Sequence, residues 1–483
     1  MSPRARWTAA VALVWLAACV PLALADLLPF VDYPAHLARV HLLAGGTSPF
    51  YRSSWDILPN LALEAIAVPL AHVVSAELAL RLFTALCLGL LVWGGALFSR
   101  AATGRASLLC FLPALLVYNV ILAFGFLNFL FGLGVALVAL ALHIEGAGQP
   151  VGRRLARESL ACLVLFFSHV VALAVYLVAA AAVDLRRKNL AVLAAALVAP
   201  AALLLASPTR HEATLAEFHP LAKLDNLVAM PATGQGVLDT IFALAALILL
   251  AALLVLRLAR PSRRVATVAL ALAALYIVAP YRFATAENVD TRLPLPFLLV
   301  ALAGFELTCS GARARAVAAA LAALFAFRVA TTAAHVHRCG RALAAVRDDL
   351  RAAVPAGSLL FTAREASAPS WQPRDWNPPL THAADLLLLD RPLYAATLFA
   401  HPTQQPLART APFAALDLPE PVGLVWQPHL EAYGKNLLRL VDAARRPEPA
   451  YLLFLKGPGR LISGPHFDVV VDRPRYAILR LRE

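Results

Sequence analysis

The stretch Leu28–Arg39, LPFVDYPAHLAR, follows directly on the first apolar span of the chain and decides how the rest is read. It places an acid, two aromatic rings, a histidine and an arginine at the mouth of a membrane helix. Charge is costly at that depth, so ionisable residues gathered there mark a functional site by default. Asp32 is the first candidate: a carboxylate beside lipid, positioned and partly desolvated, can take a proton from an attacking hydroxyl. Tyr33, His36, Arg39 and His41 surround it in sequence, whereas Asp26 sits nearer the helix end and reads as a boundary residue.

Composition supports the membrane reading. The chain has 483 residues, of which 61% are hydrophobic and 15% charged, and its mean hydropathy is +0.72. A water-soluble protein of this size cannot hide that much apolar surface. The formal net charge of +13 suggests nucleic acid at first sight. The basic residues, however, form short clusters between apolar runs: Arg153, Arg154 and Arg157; Arg186, Arg187 and Lys188; Arg257, Arg260, Arg263 and Arg264; Arg313 and Arg315. That is the pattern of the positive-inside rule, and no nucleic-acid partner is implied. The six cysteines form no CxxC or Cys/His ligand pattern, so neither a disulfide framework nor a zinc site is indicated. Arg4, Arg6 and the apolar run that follows imitate a secretory signal, but with many further spans behind it we read an uncleaved first helix with a cytoplasmic N-terminus.

Apolar segments run over 7–25, 61–75, 78–98, 107–122, 126–144, 159–183, 189–206, 237–257, 265–280, 293–308 and 315–334. Two adjustments place every arginine-rich loop on one side. The segment 61–75, which carries Glu64, Pro69 and His72, is read as an interfacial or re-entrant helix. The segment 159–183, broken by Ser168-His169, is read as two short helices meeting at an outer turn. The result is a polytopic α-helical membrane domain over 1–334, with about eleven crossings and a first outer loop at 26–78. Beyond residue 335 prolines multiply and apolar runs shorten. Ala342–Ala353 has helical spacing, and Ser358–Thr362, Tyr451–Leu455, Phe467–Val471 and Tyr476–Leu481 read as strands. Residues 335–483 are thus an α/β domain, extracytoplasmic by the odd number of crossings and on the same side of the inner (plasma) membrane as Asp32.

The remaining outer loops are short and polar. Tyr281–Arg292 holds Arg282, Glu287, Asp290 and Arg292. Guanidinium is planar, permanently charged and bidentate, so an arginine pair suits phosphate; the plainer reading is headgroup snorkelling. The 207–236 loop adds Arg210, His211, His219 and Lys223, with an amphipathic helix expected over Leu215–Leu227. His169 at the helix break and Asn128 at the turn after 123–126 are further cavity candidates. The histidine spacings are not ligand-like, and no Walker loop, GxGxxG or GxSxG motif is present, so no cofactor is implied; a divalent metal is compatible with the pattern but not indicated by it.

In layout the chain resembles the GT-C superfamily of integral-membrane glycosyltransferases, which includes the protein O-mannosyltransferases and the lipid A aminoarabinose transferases. The features are the acid of VDYPAHLAR, a Pro-led amphipathic helix (LPNLALEAIAVPL), an Arg-containing third segment (AELALRLF) ending in a basic turn (SRAATGR), and the split pair at Ser168-His169. The resemblance covers roughly residues 1–335. It implies transfer of a sugar from a polyprenyl-phosphate donor to an extracytoplasmic acceptor of unknown identity. By position Asp32 would be the base, and Arg282, Arg292 and Lys223 the donor-phosphate ligands. Tyr33, His36, Arg39, Glu64, Asn128, His169 and Asp290 would line the cavity. Many relatives carry a second acid near the turn that here reads FGFLNF, where this chain has Asn128. Two rival classes are a lipid or polysaccharide transporter or flippase, and a non-catalytic envelope assembly protein. Transporters usually show related halves and ionisable groups near the midplane; here charges gather at span ends and the halves show no symmetry.

Overall fold

A computed structural model describes residues 2–211, 216–283, 286–366, 379–416, 418, 422–457, 461 and 464–482. Among these residues, six helices are long and apolar enough to cross a membrane: Arg4–Ala23, Ala76–Thr103, Leu127–Glu145, Arg187–Ala206, Val237–Val255 and Gly311–Ala353. Shorter apolar helices are Ala62–Ala71, Leu108–Phe124 and Val170–Val183. Outward faces of these helices are strongly apolar: on Val237–Val255, Leu247 is 62% exposed and Ile248 68%. Such a face is a liability in water and ordinary against lipid tails.

The chain forms two compact units that do not follow chain order. The first contains Met1–Leu24, Ile57–Ala65 and Arg81–His335; the second contains Ala25–Asp56, Ile66–Leu80 and Val336–Glu483. The first-loop segment that carries Asp32 therefore clusters with the residues beyond 335.

In the first unit, helices pack closely where side chains are small. A Cβ on Gly134 would stand 2.5 Å from Leu90 Cβ, so the helices Ala76–Thr103 and Leu127–Glu145 approach through that glycine. The split in segment 159–183 is present: helix Val151–Ser168 ends and helix Val170–Val183 begins around His169. A broken helix exposes amide groups that must be satisfied. Asn60 Oδ1 accepts from the Val170 amide at 2.9 Å, and His169 Nδ1 accepts from the Val171 amide at 3.2 Å. The Asn60 and Leu61 amides in turn donate to the carbonyls of Phe166 and Phe167.

Asn60 holds a positive φ of 64°, a region that asparagine tolerates better than most side chains. Asn60→Ala is expected to lower stability by about 2 kcal/mol through loss of the cap and backbone strain. Asn60→Gly, which keeps the backbone at ease, should cost about 1 kcal/mol. Apparent thermal midpoints in detergent rank the two; equal midpoints for wild type and both variants would remove Asn60 as the staple of the helix break.

The second unit is built on a sheet. Its strands run in the order Phe467–Asp472, Tyr476–Leu481, Ala450–Leu455, Leu359–Glu365, Tyr394–Ala395, with Val422–Val425 also paired to Leu359–Glu365. Leu359–Glu365 is parallel to Ala450–Leu455, Tyr394–Ala395 and Val422–Val425, while Tyr476–Leu481 pairs antiparallel with both its neighbours. Helix Leu430–Ala443 lies in the crossover between Val422–Val425 and Ala450–Leu455, as parallel pairing requires. Ala450–Leu455 is buried at every position, which is why it reads as an unbroken apolar run. The expected helix Ala342–Ala353 is not separate: it is the end of one continuous helix, Gly311–Ala353. Charges from His335 onward lower the hydropathy without interrupting the helical period. Gly340 of this helix meets the first-loop segment so closely that a Cβ there would lie 2.4 Å from the Leu27 carbonyl oxygen.

Candidate active site

In the second unit, Asp32 immediately precedes helix Tyr33–Leu43, whose second residue is Pro34. Its carboxylate makes no capping bond to the helix amides, so it is not held there by the usual structural duty of an acid at a helix start. The helix packs against the turn Ala383–Leu389. That packing brings His382 Nε2 to 3.6 Å from Asp32 Oδ1. On the other side of the ring, Nδ1 lies 3.0 Å from Asp385 Oδ2, and Asp385 Oδ1 accepts from Thr397 Oγ1 at 2.6 Å. The Asp32 side chain is 15% exposed, that of His382 6%, and that of Asp385 is fully buried. Burial alone would depress the His382 pKa. The hydrogen bond to Asp385 and the charges of Asp385 and Asp32 outweigh it and raise the ring above the ordinary histidine value. Sequence reading missed His382, Asp385 and Thr397. The only local signal was the i, i+3 spacing of His382 and Asp385.

The first-loop helix is buried from Tyr33 to Val40. Arg39 Nη2 lies 2.8 Å from His36 Nδ1. Arginine only donates, so that nitrogen accepts and the His36 ring is neutral with its proton on Nε2. Tyr33 is buried, with its ring edge-on to Phe30 at 6.2 Å. Tyr51, on strand Tyr51–Ser53, donates to the Ala395 carbonyl at 2.9 Å and accepts from the Ala395 amide at 2.9 Å, which fixes the backbone next to Thr397. Burial pushes the Tyr51 hydroxyl far above its usual range, so it stays a neutral donor.

The first unit holds the other expected residues. Lys223 Nζ donates to the Tyr276 carbonyl at 3.0 Å, the Ala279 carbonyl at 2.8 Å and Asp290 Oδ2 at 3.1 Å. An ammonium has three protons, and all three are engaged within the protein. Asp290 is fully buried behind it. Arg282 pairs with Glu287 and, at 3.7 Å, with Glu217; its side chain is 37% exposed. Arg292 Nη1 donates to the carbonyls of Glu287 (2.6 Å) and Asn288 (3.0 Å), and its guanidinium lies 4.2 Å from the centre of the Phe126 ring.

Asn128 is a clamp. Its Oδ1 accepts from the Leu63 amide at 2.7 Å and its Nδ2 donates to the Asn60 carbonyl at 2.6 Å. His169 stands edge-on to Phe129 at 5.3 Å, and Glu64 is fully buried in helix Ala62–Ala71. The helix expected over Leu215–Leu227 covers Ala222–Val228 instead, beginning after Pro220; Leu215 and the side chain of His211 lie outside the described residues. Ala216–Glu217 pairs as a short strand with Arg282–Phe283. Among the described residues, no group of three or more His, Cys, Asp and Glu side chains is arranged to hold a metal ion.

No family model matches the chain, and no curated protein matches it by sequence. Two solved structures do resemble it. Both are ArnT from Cupriavidus metallidurans. The one bound to undecaprenyl phosphate has a TM-score of 0.53 and 15% identity, the likeness covering 99% of this chain and 97% of that one. The apo state has a TM-score of 0.55 and 14% identity, covering 99% and 98%. At such identities the likeness is one of fold: the chain shares the fold of the two ArnT structures over nearly its whole length, and among the described residues six helices are long and apolar enough to cross a membrane.

Proposed function

We propose that the protein is a membrane glycosyltransferase that moves a sugar from a polyprenyl-phosphate donor to an acceptor hydroxyl on the extracytoplasmic side. The observation that carries this reading is the fold likeness to ArnT over almost all of both chains, one of those structures having undecaprenyl phosphate bound. In the proposed reaction the acceptor oxygen attacks the anomeric carbon as Asp32 takes its proton. The bond to the lipid phosphate breaks, and the electron pair leaves with the phosphate. One-step displacement inverts the anomeric configuration. Arg282 and Arg292 are the proposed ligands of the leaving phosphate, because a fixed guanidinium opposite a developing negative charge stabilises the transition state without reorganising. Lys223, bonded to Asp290 and to two carbonyls, holds the 282–292 segment in place.

The direct test is to reconstitute purified protein in vesicles with radiolabelled undecaprenyl-phosphate sugars and an extract of envelope acceptors. Label should leave the lipid only when protein is present. Label that stays on every donor offered would rule the reading out. Arg282→Gln and Arg292→Gln should each lower kcat/KM for the donor by about a hundredfold, the scale seen when one charge-stabilising donor is removed. Unchanged donor kinetics in both would take the pair out of the mechanism.

A further inference from the structure

We propose that His382 and Asp385 are positioning residues for Asp32, the imidazolium bridging two carboxylates so that Asp32 stays ionised and turned for proton abstraction. The inference rests on the transferase reading for its consequence, but its physical content is independent of it.

The geometry is that of a ring used at both ends. Nδ1 is bonded to a fully buried carboxylate at 3.0 Å, and Nε2 faces the Asp32 carboxylate at 3.6 Å. Thr397 Oγ1 donates to the second oxygen of Asp385 and so fixes the plane of that carboxylate. Phe399 lies against the ring at 5.0 Å, which excludes water from that side. Among the surrounding titratable groups, Tyr51 lies within electrostatic range of Asp385, and of Tyr394 and Arg409 as well.

A neutral ring would leave two carboxylates facing one desolvated site with no opposite charge between them. A protonated ring offsets one of the two. The same charge favours the ionised form of Asp32, the only form that accepts a proton. A third group that orients and charges a catalytic partner is a recurring solution in acyl transfer. Here it is supplied by a segment some 350 residues further along the chain.

The signs follow. Removing the imidazolium raises the pKa of Asp32, so the acidic limb of the kcat/KM profile of His382→Gln should move to higher pH by about one unit, a tenfold deficit below the limb. The ratio of wild-type to variant activity should therefore grow as pH falls. A merely structural loss would be the same at every pH. In the wild type the imidazolium is lost as pH rises through its raised pKa, and there the wild-type and His382→Gln rates should converge.

The test that needs no turnover is a titration of ring-15N histidine in the full chain in nanodiscs. The His382 signal is assigned by its loss in His382→Gln. Coupling is reciprocal, so Asp32→Asn should lower the His382 midpoint, Asp385→Asn should lower it further, and Thr397→Val, the gentlest change to the buried cluster, should lower it least. An unmoved midpoint in Asp32→Asn overturns the proposal, even if that variant transfers no sugar. A pH-independent activity deficit in His382→Gln also overturns it. Absence of transfer by the wild type on every donor, with the midpoints shifting as stated, overturns the transferase reading and supports the coupling.

Discussion

Asp32→Asn is expected to lower sugar transfer by at least about a hundredfold while leaving the protein folded. The substitution keeps the shape of the side chain while removing its charge and its capacity to take a proton. The helix that follows should be undisturbed, because the Asp32 side chain makes no capping bond to it. The thermal midpoint of the purified variant is therefore expected to stay close to that of the wild type, and the loss should fall on kcat more than on the donor KM. Transfer at near wild-type rate would remove Asp32 from the chemistry. A collapse of stability alongside activity would instead make it a structural acid. Asp32→Glu adds a useful contrast: it keeps the charge beside His382 but moves the oxygens by one methylene, and a misplaced base typically costs orders of magnitude in rate.

What the sequence disclosed, and what it did not, divides along one physical line. Features set by neighbours in the chain were legible. The polar pair Ser168-His169 inside an apolar run marked the break between Val151–Ser168 and Val170–Val183. The strands Ala450–Leu455, Phe467–Asp472 and Tyr476–Leu481 were visible because β-rich runs were bounded by glycine and proline. Features set by distant parts of the chain were not. The packing of helix Tyr33–Leu43 on Ala383–Leu389 brings His382 beside Asp32, and no spacing within either segment encodes that meeting. Lys223 illustrates a second limit. Its type and loop position suit phosphate, but the carbonyls of Tyr276 and Ala279, at the end of helix Arg263–Val278, and the carboxylate of Asp290 engage its protons, and only three-dimensional proximity reveals them.

Arg328→Met is expected to destabilise the protein by about 3–5 kcal/mol, the largest stability effect we anticipate from one substitution, because it leaves a buried carboxylate without its partner. Arg328 is fully buried and Asp239 nearly so. The guanidinium donates to Asp239 Oδ1 at 2.6 Å, to the Tyr118 carbonyl at 3.0 Å and to the Pro231 carbonyl, and lies 4.5 Å from the centre of the Phe242 ring. Asp239 in turn accepts from the Thr233 amide at 2.9 Å, the Thr233 hydroxyl at 3.0 Å and the Gln235 amide at 2.8 Å. One arginine thus ties three segments together: the turn at Tyr118, the bend 231–235, and the start of helix Val237–Val255. An arginine within a membrane helix is by default a functional-site candidate. Here the groups that engage it are backbone carbonyls and one carboxylate that itself caps a bend, which argues for a structural lock. Arg328→Lys keeps the charge but loses the fork that reaches three acceptors, so it should fall between wild type and Arg328→Met. In the double variant Arg328→Met/Asp239→Asn the loss should be smaller than the sum of the two single losses, since the orphaned charge is gone in both directions. Chemical or thermal denaturation of the four proteins in one detergent reads the coupling. Strict additivity would mean that the pair does not act as a unit. A normal midpoint for Arg328→Met with abolished transfer would move this arginine from the scaffold into the reaction.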